Sequence, residues 1–275
     1  MNASLLTSLP RVVDPRYPSN RLVVAGSAVA ALLTAVAAFV DVDLGFGPIA
    51  AAVGVFLSWA IARELDPDHP AAALLAMPVA FAVLLVVGEA SLLLGTAVLL
   101  ASRITAGTVG TELRMLDGIA LVGLSGLLGT QSVGVVGLAL LVAGVFISGR
   151  STGRSAAVSV ASAGAFAAAW AWTGTELAWE SPDVAEWATL AVTLIATVLI
   201  IPASPLTSRT DRGTGTVDRT RVTIARLLVG AAVAAAFLVA GGIGIQAIAP
   251  TATAALIGTA VTSIRSRTMN GVRLR

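Results

Sequence analysis

Apolar residues neither alternate nor form a stripe along this chain; they fill it in blocks. Ten blocks run over 22–40, 46–62, 71–88, 90–102, 118–129, 133–148, 155–173, 187–203, 223–243 and 251–264. Each is apolar on every side, as a helix surrounded by lipid must be, because only a helix or a closed barrel satisfies its backbone in hydrocarbon. The pattern predicts an all-α, polytopic membrane bundle of about ten transmembrane helices. Helix starts are written into some links. Ser181-Pro182-Asp183 offers an N-cap, a proline at N1 and an acid in the first turn. His69-Pro70 and Ala249-Pro250 should open helices in the same way.

Two neighbouring blocks are short. At 1.5 Å per residue, 90–102 and 118–129 rise only about 18–20 Å, against a hydrocarbon core of about 30 Å. The block 251–264 is also short. Either these helices run on into polar flanks, with Arg103 snorkelling, or some are discontinuous. The link "SRITAGTVGTELRMLDG", residues 102–118, carries Arg103, Glu112, Arg114 and Asp117. Short, glycine-interrupted segments around a polar link point to a transporter site, so these four are the candidate substrate-binding residues. The plainer alternative is a loop whose flanking helices finish their crossings with threonines.

Composition agrees with the pattern. The chain is 57% hydrophobic and 12% charged, against about 25% charged in soluble domains, and its mean hydropathy is +0.93. The expected partner is the lipid bilayer, and the expected location is the cell membrane as a multi-pass protein. All 17 basic residues are arginine, a usage that fits a GC-rich, prokaryotic genome. They are scattered over separate links, which gives no basic face for nucleic acid. With no cysteine, disulfides, thiolate metal sites and a cysteine nucleophile are excluded. The first twenty residues lack a continuous apolar core, so no cleaved signal peptide is expected, and the C-terminus carries no lipidation box.

Charge sets an orientation. With residues 1–21 in the cytoplasm, ten crossings put Arg63, Arg103, Arg114, Arg150, Arg154 and the group from Arg209 to Arg226 in or beside inner links. The tail, residues 265–275, is then also inside, and no arginine falls outside. The outer links carry Asp41, Asp43, Glu89, Glu176, Glu180, Asp183 and Glu186. The positive-inside bias predicts this arrangement, with both termini cytoplasmic. One transmembrane domain, 22–264, then contains an inner linker, 204–222, whose Ser, Thr, Gly and mixed charges read as flexible. Trp170, Trp172, Trp179 and Trp187 cluster at the outer end and Trp59 near the inner end, as an interfacial belt would.

One inner link departs from the rule. "ARELDPDHPAAALL" gathers Glu64, Asp66, Asp68 and the only histidine, His69, beside a single Arg63. The spacing offers oxygen ligands to a divalent cation, the one cofactor the sequence suggests. It lacks the glycine and closing glutamate of an EF-hand and the D-x-x-x-D of magnesium-dependent membrane prenyltransferases. Against the metal stands a solvated, proline-stiffened turn in which Asp68 or His69 caps the third helix. Arg103 and Arg114 are the expected cationic partners of these acids, in a shared site or an ordinary ion pair.

Gly118, Gly123, Gly126, Gly129, Gly134, Gly137 and Gly144, followed by an Ala/Ser/Gly-rich block, place the closest packing in helices five to seven. No G-x-S-x-G, H-E-x-x-H or in-span carboxylate pair is present. Ten helices with both ends inside divide into two inverted halves of five, an outline similar in topology and size to the drug/metabolite transporter superfamily; no motif extends the likeness. The expected function is a small-molecule or lipid permease. The alternatives are a non-catalytic subunit or homo-oligomeric component of a membrane complex, and an intramembrane enzyme acting on lipid at the cytoplasmic face.

Overall fold

A computed structural model describes residues 7, 9, 13–14, 16–109, 112–148, 153–201, 206–211 and 215–273. These residues form ten helices: α1 (Pro18–Phe39), α2 (Pro48–Leu65), α3 (Pro70–Val87), α4 (Leu92–Ala106), α5 (Met115–Leu128), α6 (Gly134–Ile147), α7 (Gly153–Thr173), α8 (Val184–Ile200), α9 (Arg219–Ala240) and α10 (Gly242–Arg273). Proline opens α1, α2 and α3, where its missing N–H costs nothing and its fixed φ suits the first turn. The Ser91 hydroxyl accepts from Leu94 N–H to start α4. A reciprocal capping box between Asp183 and Glu186 starts α8, so the N-cap is Asp183 and not Ser181.

The all-helical expectation holds, with a refinement of length. Six helices, α1, α2, α3, α7, α9 and α10, are long and apolar enough to cross a membrane. The other four, α4, α5, α6 and α8, have 15, 14, 14 and 17 residues. At about 22 Å, α4 stays short of a bilayer. It packs against α2, α5, α6, α9 and α10, so protein rather than lipid surrounds most of it. Helix α4 is also continuous through Arg103 to Ala106, which answers the question of its polar flank: it runs on.

The ninth and tenth helices meet differently from the sequence expectation. Pro250 does not open a helix; it lies inside α10, which starts directly after a tight turn at Gly241. The turn is held from the α7–α8 connection, where Glu180 N–H donates to Ala240 O and Gly242 N–H donates to Glu180 O. The tenth span therefore covers Gly242–Thr268 and is not short.

Helix α10 is the axis of the bundle. It packs on α2, α3, α4, α8 and α9, and 78% of its span is buried. Its pairing with α3 is the most extensive in the molecule, with Gly258 set against the Ala72 carbonyl and Ala76. Helix α7 is the opposite case: 17% of its span is buried, and among the described residues it packs on α5 and α6 alone. This bears on two expectations. The close approach expected in helices five to seven is present at Gly129, where a Cβ would crowd the Phe166 carbonyl oxygen of α7 and lie 3.0 Å from the Ala169 Cβ, whereas Gly126 meets α7 loosely, at 3.8 Å from the Ala165 Cβ. Two inverted halves would make α7 the counterpart of α2, yet α2 is central, touching α1, α3, α4, α9 and α10, while α7 is peripheral.

The connections sort cleanly by end. Those after α2, α4 and α8 meet one another through Glu64–Arg103, Asp68–Ser208 and Asp211–Thr108 contacts. Those after α3, α5, α7 and α9 meet at the other end through Ser91–Gln131, Ser91–Ala247 and Glu186–Gln246 contacts. Described arginines lie at the first end, and Glu180, Asp183 and Glu186 at the second. The α6–α7 connection with Arg150, and the side chain of Arg154, lie outside the described residues. Trp172, Trp179 and Trp187 are exposed at the acidic end, where a belt was expected. Trp59 is not part of a belt: it is buried in the core, 6.0 Å from the Phe56 ring.

A buried polar layer as the candidate functional site

Glu64, Asp66, Arg103, Asp117 and Arg226 are 0%, 2%, 7%, 1% and 3% exposed, so a layer of formal charge lies inside the arginine end of an otherwise apolar bundle. Charges this dry persist only when paired and hydrogen-bonded. Glu64, Asp66, Arg103 and Arg226 each have a partner on another helix, and Asp117 is held by Thr7, Leu9 and the Arg114 N–H. Glu64, in the last turn of α2, accepts from Arg103 Nε at 2.8 Å and from the Thr108 hydroxyl. Arg103 does not snorkel; its Nη1 turns back to Leu9 O at 2.6 Å. Asp66 accepts from the Thr262 hydroxyl of α10 at 3.1 Å, and its other oxygen lies 2.9 Å from His69 Nδ1.

Arg226 works through the backbone. Helices end with carbonyls that lack an intrahelical partner and carry the negative pole of the helix dipole. Arg226 Nε donates to Leu65 O at the end of α2, and Nη1 donates to Ile200 O at the end of α8. Arg267 Nη2 adds a bond to Leu199 O. Arg221 does the same for α4 through Thr105 O and Ile104 O, both at 2.8 Å. Residue 107 must be glycine for this: its φ is +66°, and a Cβ would lie 2.6 Å from the Arg221 guanidinium. Guanidinium groups from α9 and α10 thus close the ends of α2, α4 and α8.

The four predicted metal ligands diverge. Glu64 faces Arg103, Asp66 faces Thr262 and His69, and Asp68 accepts from Thr207 and Ser208 N–H groups of the α8–α9 connection, both at 2.8 Å. Among the described residues no three His, Asp or Glu side chains gather as metal ligands. The His69 side chain turns to Asp66 and makes no cap on α3. Burial opposes ionisation of Asp68, but bonds from the Ser208 and Thr207 side chains and N–H groups outweigh it and hold the carboxyl below its ordinary value.

The predicted substrate-binding residues divide in two. Arg103 and Asp117 are buried in the layer, whereas Glu112 is exposed and Arg114 is half-buried at the start of α5. Asp117 Oδ2 accepts Arg114 N–H at 2.8 Å, which caps α5. Its Oδ1 accepts Leu9 N–H at 3.2 Å and the Thr7 hydroxyl. The expected proximity of the acids to Arg103 is met by Glu64 itself. Sequence reasoning missed Arg226, Arg221, Thr262 and Leu9. Arg226 carried a usable signal, a charge four residues inside an apolar block, which in a membrane marks function or structure by default.

No family model, curated protein or solved structure matches this chain.

Proposed function

We propose that this chain is a multi-pass cell-membrane permease for a small organic solute, with its arginine end and both termini in the cytoplasm. The observation that carries the reading is the dry charged layer across α2, α4, α5 and α9, closed by α10. Charge inside a membrane bundle is costly and ordinarily serves a path or a switch. Ion pairs between separate helices can exchange partners, so they suit a gate between two packings of similar energy. Arg226 and Arg221 fasten helix ends, a service any membrane scaffold would need, whereas the Glu64–Arg103 pair joins two side chains and closes no helix end. The distribution of arginine over one end supports the orientation.

Orientation is checked in the cysteine-free background with single cysteines. Asp43→Cys and Ser181→Cys should react with an impermeant maleimide outside intact cells, and Thr216→Cys only after lysis. Labelling of Thr216→Cys from outside reverses the assignment. Function is checked by entrance counterflow in proteoliposomes, using panels of labelled amino acids, nucleosides and sugars. Saturable counterflow of one class is expected. Its absence for all three, together with purification alongside a stoichiometric partner, would transfer the chain to the subunit class.

A further inference from the structure

We infer that the groove between α3 and α8 at the arginine end binds an anionic phospholipid, with Arg265 on the headgroup phosphate. The inference needs a membrane location and stands apart from transport. Helices α3 and α8 each pack along α10 but barely touch one another, so α10 floors a channel between them. Helical periodicity places the residues of that floor. Gly258 meets α3, while Thr253 and Arg267 meet α8. The sector of α10 between those contacts carries Val261 and Ile264, which are 47% and 46% exposed although most of the helix is buried. Leu75 on α3 and Leu199 on α8 are exposed as well and supply the walls. An apolar seam between helices with a basic mouth is the form in which membrane bundles hold acidic lipids.

The mouth is basic. Arg265 and Arg267 fall in the last turn of the span Gly242–Thr268, at the depth where hydrocarbon gives way to headgroups. Arg265 lies about two turns beyond Gly258 on the same face, at the α3 edge. It is exposed and makes no hydrogen bond or ion pair among the described residues. Arg267 stands at the α8 edge, where its Nη2 bonds to Leu199 O. Its charge is also felt by Arg226, so like charges already oppose one another here. The aspartates of the α2–α3 link are engaged elsewhere, Asp66 with Thr262 and His69, Asp68 with Thr207 and Ser208. A phosphate at Arg265 would meet a planar guanidinium whose donors match its oxygens. Its charge would also offset the repulsion between Arg226 and Arg267. The site asks no further bond of Arg267, whose charge acts at a distance. A zwitterionic lipid brings the same phosphate but cancels it with its own ammonium, so the groove should select headgroups of net negative charge.

The test is native mass spectrometry of the full chain in detergent, titrated with phosphatidylglycerol or with phosphatidylcholine of identical acyl chains. Phosphatidylglycerol should bind the more tightly. Arg265→Gln should weaken it about fivefold, the worth of one arginine near an anionic surface, and leave phosphatidylcholine unchanged. Arg21→Gln is the control: Arg21 is exposed at the same end, on α1, which packs on α2 and α3 and not on α8 or α10. It should change neither lipid. Val261→Trp fills the groove without altering charge and should weaken phosphatidylglycerol too; Ile264→Asn, which makes the floor polar, serves where Val261→Trp does not fold. Inorganic phosphate in millimolar excess should leave the lipid in place. Displacement by phosphate, with no effect of the groove variants, would assign the arginine to a free anion and overturn the inference. Equal binding of the two lipids overturns it as well, and so does an equal loss from Arg265→Gln and Arg21→Gln, which would mean diffuse attraction to the whole basic end. Lipid selectivity without counterflow keeps this site and ends the permease reading; counterflow without lipid selectivity does the reverse.

Discussion

Replacing Arg103 by methionine should destabilise the protein by about 3–5 kcal/mol, the range for removing one partner of a buried ion pair. Glu64 is fully buried in the last turn of α2, and Arg103 Nε is 2.8 Å from its Oε1. Without the guanidinium, the carboxylate loses a charged donor, and the Thr108 hydroxyl that also donates to it cannot offset the dehydration of a charge. The Leu9 carbonyl loses its donor in the same substitution. Unfolding by SDS in mixed micelles, followed by tryptophan fluorescence, measures the loss. The double variant Glu64→Leu, Arg103→Met should recover most of it, because two apolar side chains replace both desolvation costs. A double variant as unstable as Arg103→Met would mean that the guanidinium matters through Leu9 alone, and the account of the pair would fail.

The second large effect lies where α10 crosses α3. A side chain at Gly258 would put its Cβ onto the Ala72 carbonyl oxygen and 3.0 Å from Ala76 N. Both are backbone atoms in a helix, so no rotamer change makes room. Between helices in a membrane, close packing is the main source of cohesion, and small residues are what permit it. Gly258→Leu should therefore cost at least the upper part of the ~1–3 kcal/mol typical of overpacking. Gly126→Leu should cost far less, since its nearest neighbour is an alanine methyl at 3.8 Å, and Gly123→Leu should cost little, having open space around it. Thermal aggregation of the three variants in the same detergent ranks them. A loss at Gly126→Leu equal to that at Gly258→Leu would mean that α5 and α7 are tightly packed beyond Gly129, and the ranking would fail.

Block hydrophobicity made the helical bundle readable, and arginine placement made its two ends readable, because both are properties of whole segments. Errors arose where one residue has two meanings. Pro250 followed a glycine-rich turn and so resembled a helix opener, yet α10 carries it internally. Arg103, Thr105 and Ala106 resembled a loop, yet they are helical and buried because α2 and α9 bring Glu64 and Arg221 to them. Trp59 resembled an interfacial anchor until the core closed around it. The Glu64–Arg103 pair was within reach of sequence reasoning, since adjacent links of one end are neighbours. The partners of Asp66, Asp68 and Arg226 were not: Thr262, Ser208 and Leu65 are 196, 140 and 161 residues away, and each is an unremarkable residue type.

Those separations also order the birth of the protein. Ribosomes deliver α2 with its two acids long before anything can answer them. Glu64 waits 39 residues for Arg103, and Asp66 waits 196 for Thr262. The ends of α2 and α8 wait for Arg226, and α8 waits further for Arg267. Until the final helix has been made, the end of α2 must therefore stay where water or lipid headgroups can solvate it. The charged layer is completed last, and translation of α10 is the event that lets it seal.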